Sequence, residues 1–324
     1  MSTDRDECRF YHPTYNWTSL MEIPELLGSR ILFSKYGWLL LIRDYRSVFF
    51  YSPYTRAKVE LPPLLAEWKP LETVLCFSYS PTSSDCFVIG LMDIRPGVFV
   101  MIKRGEKSWA SREIAGQAVC RISNCNPVLY KGLCYCLDWE ARIAVFDPNG
   151  NPSEWTVYAA SRTPLPRDRF VFDDDRHNAF VNVVRQSFMV ESGEGKLVAF
   201  MKYDNTKAVY VYETNLSNLP KRRGLNTTLK VTWRRVRSLR KKTLHISMGG
   251  SFLEPAEARE AGNKIYLPMI WDKKDLHTEL FQSFGGDYSS KRRTNFHVKE
   301  LRNCCWIQAN RPSTLNGHNQ DFEW

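Results

Sequence analysis

The densest set of side chains suited to acid–base work or metal binding is Asp173-Asp174-Asp175 with His177. It lies in a polar connection after Arg167-Asp168-Arg169, and a charge cluster in that setting reads as a solvated loop. His12, His245, His277, His297 and His318 are scattered, so each reads as a surface or core residue and not as a ligand. The nine cysteines are irregularly spaced. None forms a C-x-x-C pair, and no histidine stands at finger-like distance from a cysteine pair, so they read as small hydrophobes of a reducing compartment. Gly193-Glu194-Gly195 sits between two apolar runs and reads as a hairpin turn, not a phosphate cradle. There is no G-x-S-x-G, H-E-x-x-H, Walker loop or G-x-G-x-x-G. The expectation is a chain that works by binding, with no catalytic, cofactor-binding or metal-binding residue and no cofactor.

The charge points to where a partner could be held. The net charge is +10, and Leu219 to Thr243 contains Lys221, Arg222, Arg223, Lys230, Arg234, Arg235, Arg237, Arg240, Lys241 and Lys242 with no acidic residue. Outside that stretch 35 basic residues face 35 acidic ones, so the basic balance belongs to one segment and not to a basic domain. Two readings fit it. Lysine and arginine clusters serve as import signals or as contacts to phosphate and acidic partners. Equally, Leu229, Val231 and Trp233 alternate with Lys230 and Thr232, as in a strand with one solvated face. On that pattern Lys221-Arg222-Arg223 and Arg240-Lys241-Lys242 lie exposed at the two ends of one strand.

The elements that must position these residues read as strands. Hydrophobic residues make up 43% and aromatic residues 13% of the 324, which is ample for a core and suited to pleated surfaces. No apolar run approaches the ~20 residues that cross a bilayer. Met1 to Glu7 is charged and has no apolar stretch of a secretory signal, so a cytoplasmic or nuclear location is expected and the sequons at Asn16, Asn215 and Asn226 read as chance matches.

One pattern recurs: an apolar run, a turn, then a Trp or a β-branched run. It is seen at Val48–Leu61, Val98–Trp109, Ile143–Val157 and Val209–Trp233. Matching points near Ser52, Met101, Asp147 and Tyr212 are 49, 46 and 65 residues apart. Units of ~40–50 residues with several short strands each are the mark of a β-propeller. At ~45 residues per unit, the stretch from Arg30 to Asn310 predicts six or seven blades. Trp38, Trp109, Trp155 and Trp233 are the residues expected to fill the space between blades. Helix is scarce: Pro255 to Ala261, closed by Gly262, reads as one short helix, and Glu25-Leu26-Leu27 after Pro24 as a single turn.

Several stretches are familiar in order and spacing. They are Gly37-Trp38-Leu39-Leu40-Leu41, Phe50-Tyr51-Ser52-Pro53-Tyr54-Thr55, Val59-Glu60-Leu61-Pro62-Pro63-Leu64 and Asn126-Pro127-Val128-Leu129-Tyr130 running to Tyr135. Trp233-Arg234-Arg235-Val236 leading to Leu244-His245-Ile246, Gly262 to Leu267, and Cys305-Trp306-Ile307 follow. Together they resemble the β-propeller of plant F-box proteins. The resemblance implies an all-β single propeller over residues 29–310, an N-terminal segment 1–28 and a polar tail 311–324.

It also implies a protein-interaction module, because in that family an F-box docks a Skp-type adaptor of a cullin ubiquitin ligase while the propeller holds the substrate. Two departures are visible. Ile23-Pro24-Glu25-Leu26-Leu27 echoes the first turn of an F-box, but the first propeller strand follows about ten residues later, where an F-box needs about 40 residues of helical pattern. No complete F-box and no adaptor binding are therefore expected of segment 1–28. Arg240-Lys241-Lys242 stands where relatives more often show Gly-Asp. The alternatives are a nuclear protein that binds nucleic acid or an acidic partner through residues 221–242, and an enzyme with a site in the propeller channel.

Overall fold

The structure, a computed structural model, describes residues 7–12, 17–65, 73–92, 98–113, 126–138, 141–150, 156–160, 184–203, 209–219, 229–247, 249–257, 262–266, 281–283 and 305–308. They fall into two compact units, Met1–Ile114 with Ser238–Trp324, and Ala115–Arg237.

In the first unit, β1 (Glu7–His12) and β2 (Trp17–Glu22) form an antiparallel pair, followed by a single 3-10 turn at Pro24–Leu26. The first four-stranded sheet is a meander of β3 (Ser29–Lys35), β4 (Trp38–Arg43), β5 (Ser47–Tyr51) and β6 (Lys58–Glu60). Tyr36-Gly37 and Asp44-Tyr45 all have φ between 51° and 76°, so both tight turns of this meander have the handedness that matches strand twist. The run Trp38-Leu39-Leu40-Leu41-Ile42 is buried on both faces of β4. Leu39, Leu41, Phe49 and Tyr51 pack one face against Cys8, Ile23 and Leu26. On the other, Phe77 lies edge-on to Phe33 at 5.2 Å and to Phe50 at 5.1 Å. Phe77 ends β7 (Thr73–Phe77), the first strand of the next meander, which continues through β8 (Phe87–Met92), β9 (Val98–Lys103) and β10 (Ala110–Glu113). The aromatic contact thus joins two sheets face to face.

The second unit holds two more sheets. One contains β11 (Val128–Tyr130), β12 (Leu133–Leu137), β13 (Ile143–Phe146) and β14 (Thr156–Ala160). The other contains β15 (Val184–Glu191), β16 (Lys196–Tyr203) and β17 (Val209–Asn215). The basic segment then divides between them. β18 (Leu229–Val231) pairs in parallel with β14 as a fifth strand, and β19 (Arg234–Val236) pairs antiparallel with β17. The single strand expected across Leu229 to Trp233 therefore ends at Val231, and after Thr232 and Trp233 a second strand starts at Arg234 in the other sheet. The alternation is kept across the break: Val231 is buried, Trp233 is half-buried, and Lys230 and Thr232 are exposed.

The last sheet returns to the first unit with β20 (Lys242–His245), β21 (Phe252–Pro255), β22 (Lys264–Tyr266) and β23 (Phe281–Ser283) in the order β21-β20-β22-β23. β20 and β22 run parallel, so this sheet is not a plain meander.

Two expectations are corrected here. Among the described residues there are five sheets of blade size, not six or seven. Their first strands begin at Ser29, Thr73, Val128, Val184 and Lys242, 44 to 58 residues apart, so long connections make ~45 residues per unit too small a divisor. The helix expected from Pro255 is not there: Pro255 closes β21, Ala256 and Glu257 are not helical, and residues 258–261 lie outside the described residues. Ala256 N–H instead donates to Lys241 O at 2.8 Å, extending the β20–β21 pairing by one step.

Candidate functional site

Tryptophans tie the sheets together. Trp109 is buried and its indole N–H donates to Pro62 O at 2.7 Å, so the residue before β10 grips the chain just past β6 of the preceding sheet. Trp233 does the same in the second unit, donating to Ala141 O at 2.8 Å. That carbonyl is held by a polar clamp. Asp138, 1% exposed, accepts from Arg142 N at 2.8 Å and pairs with the Arg142 guanidinium at 2.5 Å, across a turn whose Ala141 has φ 59°. Trp38 is buried in β4, and Trp155 lies outside the described residues.

Just after Trp233, β19 pairs with β17 so that Arg234 faces Glu213 and Arg235 faces Tyr212. Alternation then sends the two arginines to opposite faces. On one, the Arg235 guanidinium lies 5.0 Å from the Tyr210 ring centroid, and Tyr210 stacks beside Tyr212 at 6.5 Å. Burial pushes the Tyr212 hydroxyl pKa up, more than Arg235 pulls it down.

On the other face is a groove of about 410 Å³, lined among others by Lys196, Glu213, Asn215, Asn218, Lys230 and Arg234. Glu213 lies low in it, its side chain 17% exposed, paired with Arg234 and 3.9 Å from Lys196 Nζ. The Arg234 side chain remains 77% exposed. This arrangement can hold negatively charged or amide-bearing groups.

The remaining basic residues are placed as follows. Lys230 and Arg237 are exposed in the second unit. Arg240 and Lys241 are exposed in the first unit, and Lys242 is half-buried at the start of β20. The turn that carries them is fixed by Asn263, whose carbonyl oxygen accepts from Leu239 N at 2.8 Å. Lys221, Arg222 and Arg223 lie outside the described residues, as do Asp173, Asp174, Asp175 and His177.

His245 is a core residue. Its ring stacks on Phe252 at 4.7 Å and on Tyr266 at 4.9 Å, its neighbours on β21 and β22, and its Nε2 is 3.0 Å from Glu254. Among the described residues no three His, Cys, Asp or Glu side chains are grouped to hold a metal ion, and no helix is long and apolar enough to cross a membrane. Lys196, Glu213 and Tyr210 were outside the candidate residues of the sequence, because pairing across strands brings them to the arginines from 21 to 38 residues away.

The model of the KIB1-4 beta-propeller family matches residues 10–294. The chain belongs to the KIB1-4 β-propeller family. It is an all-β propeller with almost no helix among the described residues, and the five sheets are its described blades. An F-box/kelch-repeat protein of Arabidopsis thaliana is 30% identical over 216 residues, which are 65% of this chain and 58% of that protein. A second Arabidopsis F-box/kelch-repeat protein is 26% identical over 64% of this chain and 52% of its own length. An Arabidopsis F-box protein is 28% identical over 47% and 41%. The chain thus spans about half the length of the curated relatives it matches. Among solved structures, the N-terminal domain of Nup159 is similar with a TM-score of 0.37 and 9% identity, over 81% of this chain and 70% of that one. The family match and the Arabidopsis relatives make the chain a β-propeller interaction module related to F-box proteins.

Proposed function

We propose that this KIB1-4 propeller holds a protein partner in the manner of a ubiquitin-ligase substrate receptor. The observation that carries the proposal is the family match over residues 10–294 together with relatives that are F-box proteins. The blades are tied by buried rings and indole hydrogen bonds, which leaves loops and outer strands to make contacts. Pulse-labelled proteomics in plant cells that overproduce the 324-residue chain tests the proposal. The half-lives of a small set of proteins should change, because the chain occupies them and alters their delivery to a ligase. Unchanged half-lives across the proteome would overturn the ligase link.

A second reading, nuclear accumulation through the basic segment, is favoured by the exposure of Arg237, Arg240 and Lys241. A fluorescent fusion in which Lys221, Arg222, Arg223, Arg240, Lys241 and Lys242 are all replaced by Ser should lose nuclear signal. An unchanged nuclear fraction would leave the segment as a solvated face.

A further inference from the structure

We infer that the groove between β17, β18 and β19 takes an extended acidic peptide segment, and that Glu213 occupies the cation site until such a segment arrives. The inference rests on the reading of this propeller as a partner-binding module.

Three observations carry it. The first is charge. Lys196, Lys230 and Arg234 line the groove, and Glu213 is the carboxylate among its described lining residues. Lys196 Nζ also lies 3.6 Å from Glu194, which leaves Lys230 and Arg234 as the main cations. Arg234 gives one nitrogen to Glu213, and a guanidinium has five N–H donors in a fork that suits carboxylates. With 77% of the side chain exposed, the rest of that fork faces water.

The second is backbone. The groove wall runs from Lys230 to Arg234, where the chain leaves the outermost strand of one sheet and enters the outermost strand of another. Among the described strands β18 has only β14 beside it, and β19 only β17. Two adjoining outer strands are a surface against which an extended chain can lie, with main-chain contacts giving affinity and the cations selecting acidic side chains.

The third is what lines the groove. Among the described residues none that lines it is aromatic, so those residues offer no ring on which nucleic-acid bases could stack, whereas Asn215 and Asn218 offer amides suited to peptide groups. Glu213 on the floor also opposes a continuous run of phosphates. Extended peptide, with acidic side chains interrupted by neutral ones, is the chemistry that fits.

Glu213 gives the proposal its sharpest consequence. A partner carboxylate must displace Glu213 from Arg234 to pair with it. Removing the internal carboxylate should therefore tighten binding, whereas removing an ordinary structural ion pair would loosen the site.

The test is fluorescence anisotropy with the full chain at low salt. The probes are a labelled Glu-Ser decapeptide repeat, its Gln-Ser counterpart and a ten-nucleotide oligothymidylate. The Glu-Ser peptide should bind about tenfold tighter than the Gln-Ser one, and addition of salt should weaken it. Lys230→Glu with Arg234→Glu should cost about tenfold, and Glu213→Gln should gain about threefold. Arg240→Glu with Lys241→Glu, the same charge change in the other unit, should leave affinity unchanged. Circular dichroism melts keep each variant comparable as a folded protein. Equal loss in the Arg240/Lys241 variant, tighter binding of the oligonucleotide, or no gain from Glu213→Gln would each overturn the proposal. Retention of the cellular partner by the Lys230/Arg234 variant would sink this groove while leaving the binding-module reading intact.

Discussion

Asp138 illustrates how a buried charge serves this fold. It is nearly inaccessible, yet its two oxygens are used by Arg142 N and the Arg142 guanidinium, and the turn they close presents Ala141 O to Trp233. Asp138→Ala should cost about 1–3 kcal/mol, because it removes the acceptor of Arg142 N and the carboxylate paired with the Arg142 guanidinium, and loosens the carbonyl that Trp233 uses. Asp138→Asn keeps an acceptor for Arg142 N and should cost less. A urea melt that places both variants at the parent midpoint would contradict this role.

Burial also sets a pH limit at the same scale. It pushes the Cys8 thiol up from 9.0 to about 11, the Cys86 thiol from 9.0 to about 12 and the Tyr51 hydroxyl from 10.0 to about 12. In each case the folded state holds its proton more tightly than the unfolded chain. The resulting stability is complete below about pH 9 and is lost as the pH rises toward 12. Thermal midpoints should therefore be level with respect to these groups from pH 7 to 9 and fall steeply above it. Iodoacetamide should modify Cys8 and Cys86 slowly at pH 7.5 in the folded chain and quickly in urea.

At the level of elements, the ties between sheets are where substitutions should tell most. Trp109→Ala empties a buried site and removes the bond to Pro62 O, and should cost about 3–5 kcal/mol. Trp109→Phe keeps most of the ring and should cost about 1–2 kcal/mol, so the difference in melting measures the hydrogen bond and the remaining volume. Gly250 is the sharpest backbone position. Its φ is 120°, and a Cβ there would stand 2.6 Å from Ser34 O, so Gly250→Ala should cost about 1–3 kcal/mol.

Much at this scale was legible. The strand–turn–strand units around Ser52, Arg104 and Asn149 are hairpins because turn chemistry and period-two alternation are local properties of the chain. Sheet membership was not legible. Alternation tells which side chains point inward, but not which neighbouring strand takes up the edge, and Leu229 to Trp233 keeps its alternation although the strand ends at Val231 and the next, from Arg234, joins another sheet. Pro255 to Ala261 misled for a related reason. Pro at a helix start and Gly past its end are weak preferences, and pairing with β20 claims Pro255 for a strand. The groove was half legible: Lys230 and Arg234 lie in the basic segment, but Lys196 and Glu213 reach it only through pairing across strands.

For the molecule as a whole, the family fixes the fold, and the chemistry of the surface argues for binding. A Skp-type adaptor is not expected to copurify with the 324-residue chain, since the described part of residues 1–28 consists of two strands and one 3-10 turn. Stoichiometric adaptor in the purified sample would refute that. The central claim is that this propeller exists to hold another protein. Its most direct test is capture on the immobilised full chain from plant extract with and without nuclease treatment, quantified by mass spectrometry against the Lys230→Glu, Arg234→Glu variant. The account predicts one or a few proteins retained in near-stoichiometric amount by the parent chain and depleted on the variant. Retention of nothing above background, or retention that vanishes with nuclease, would contradict it.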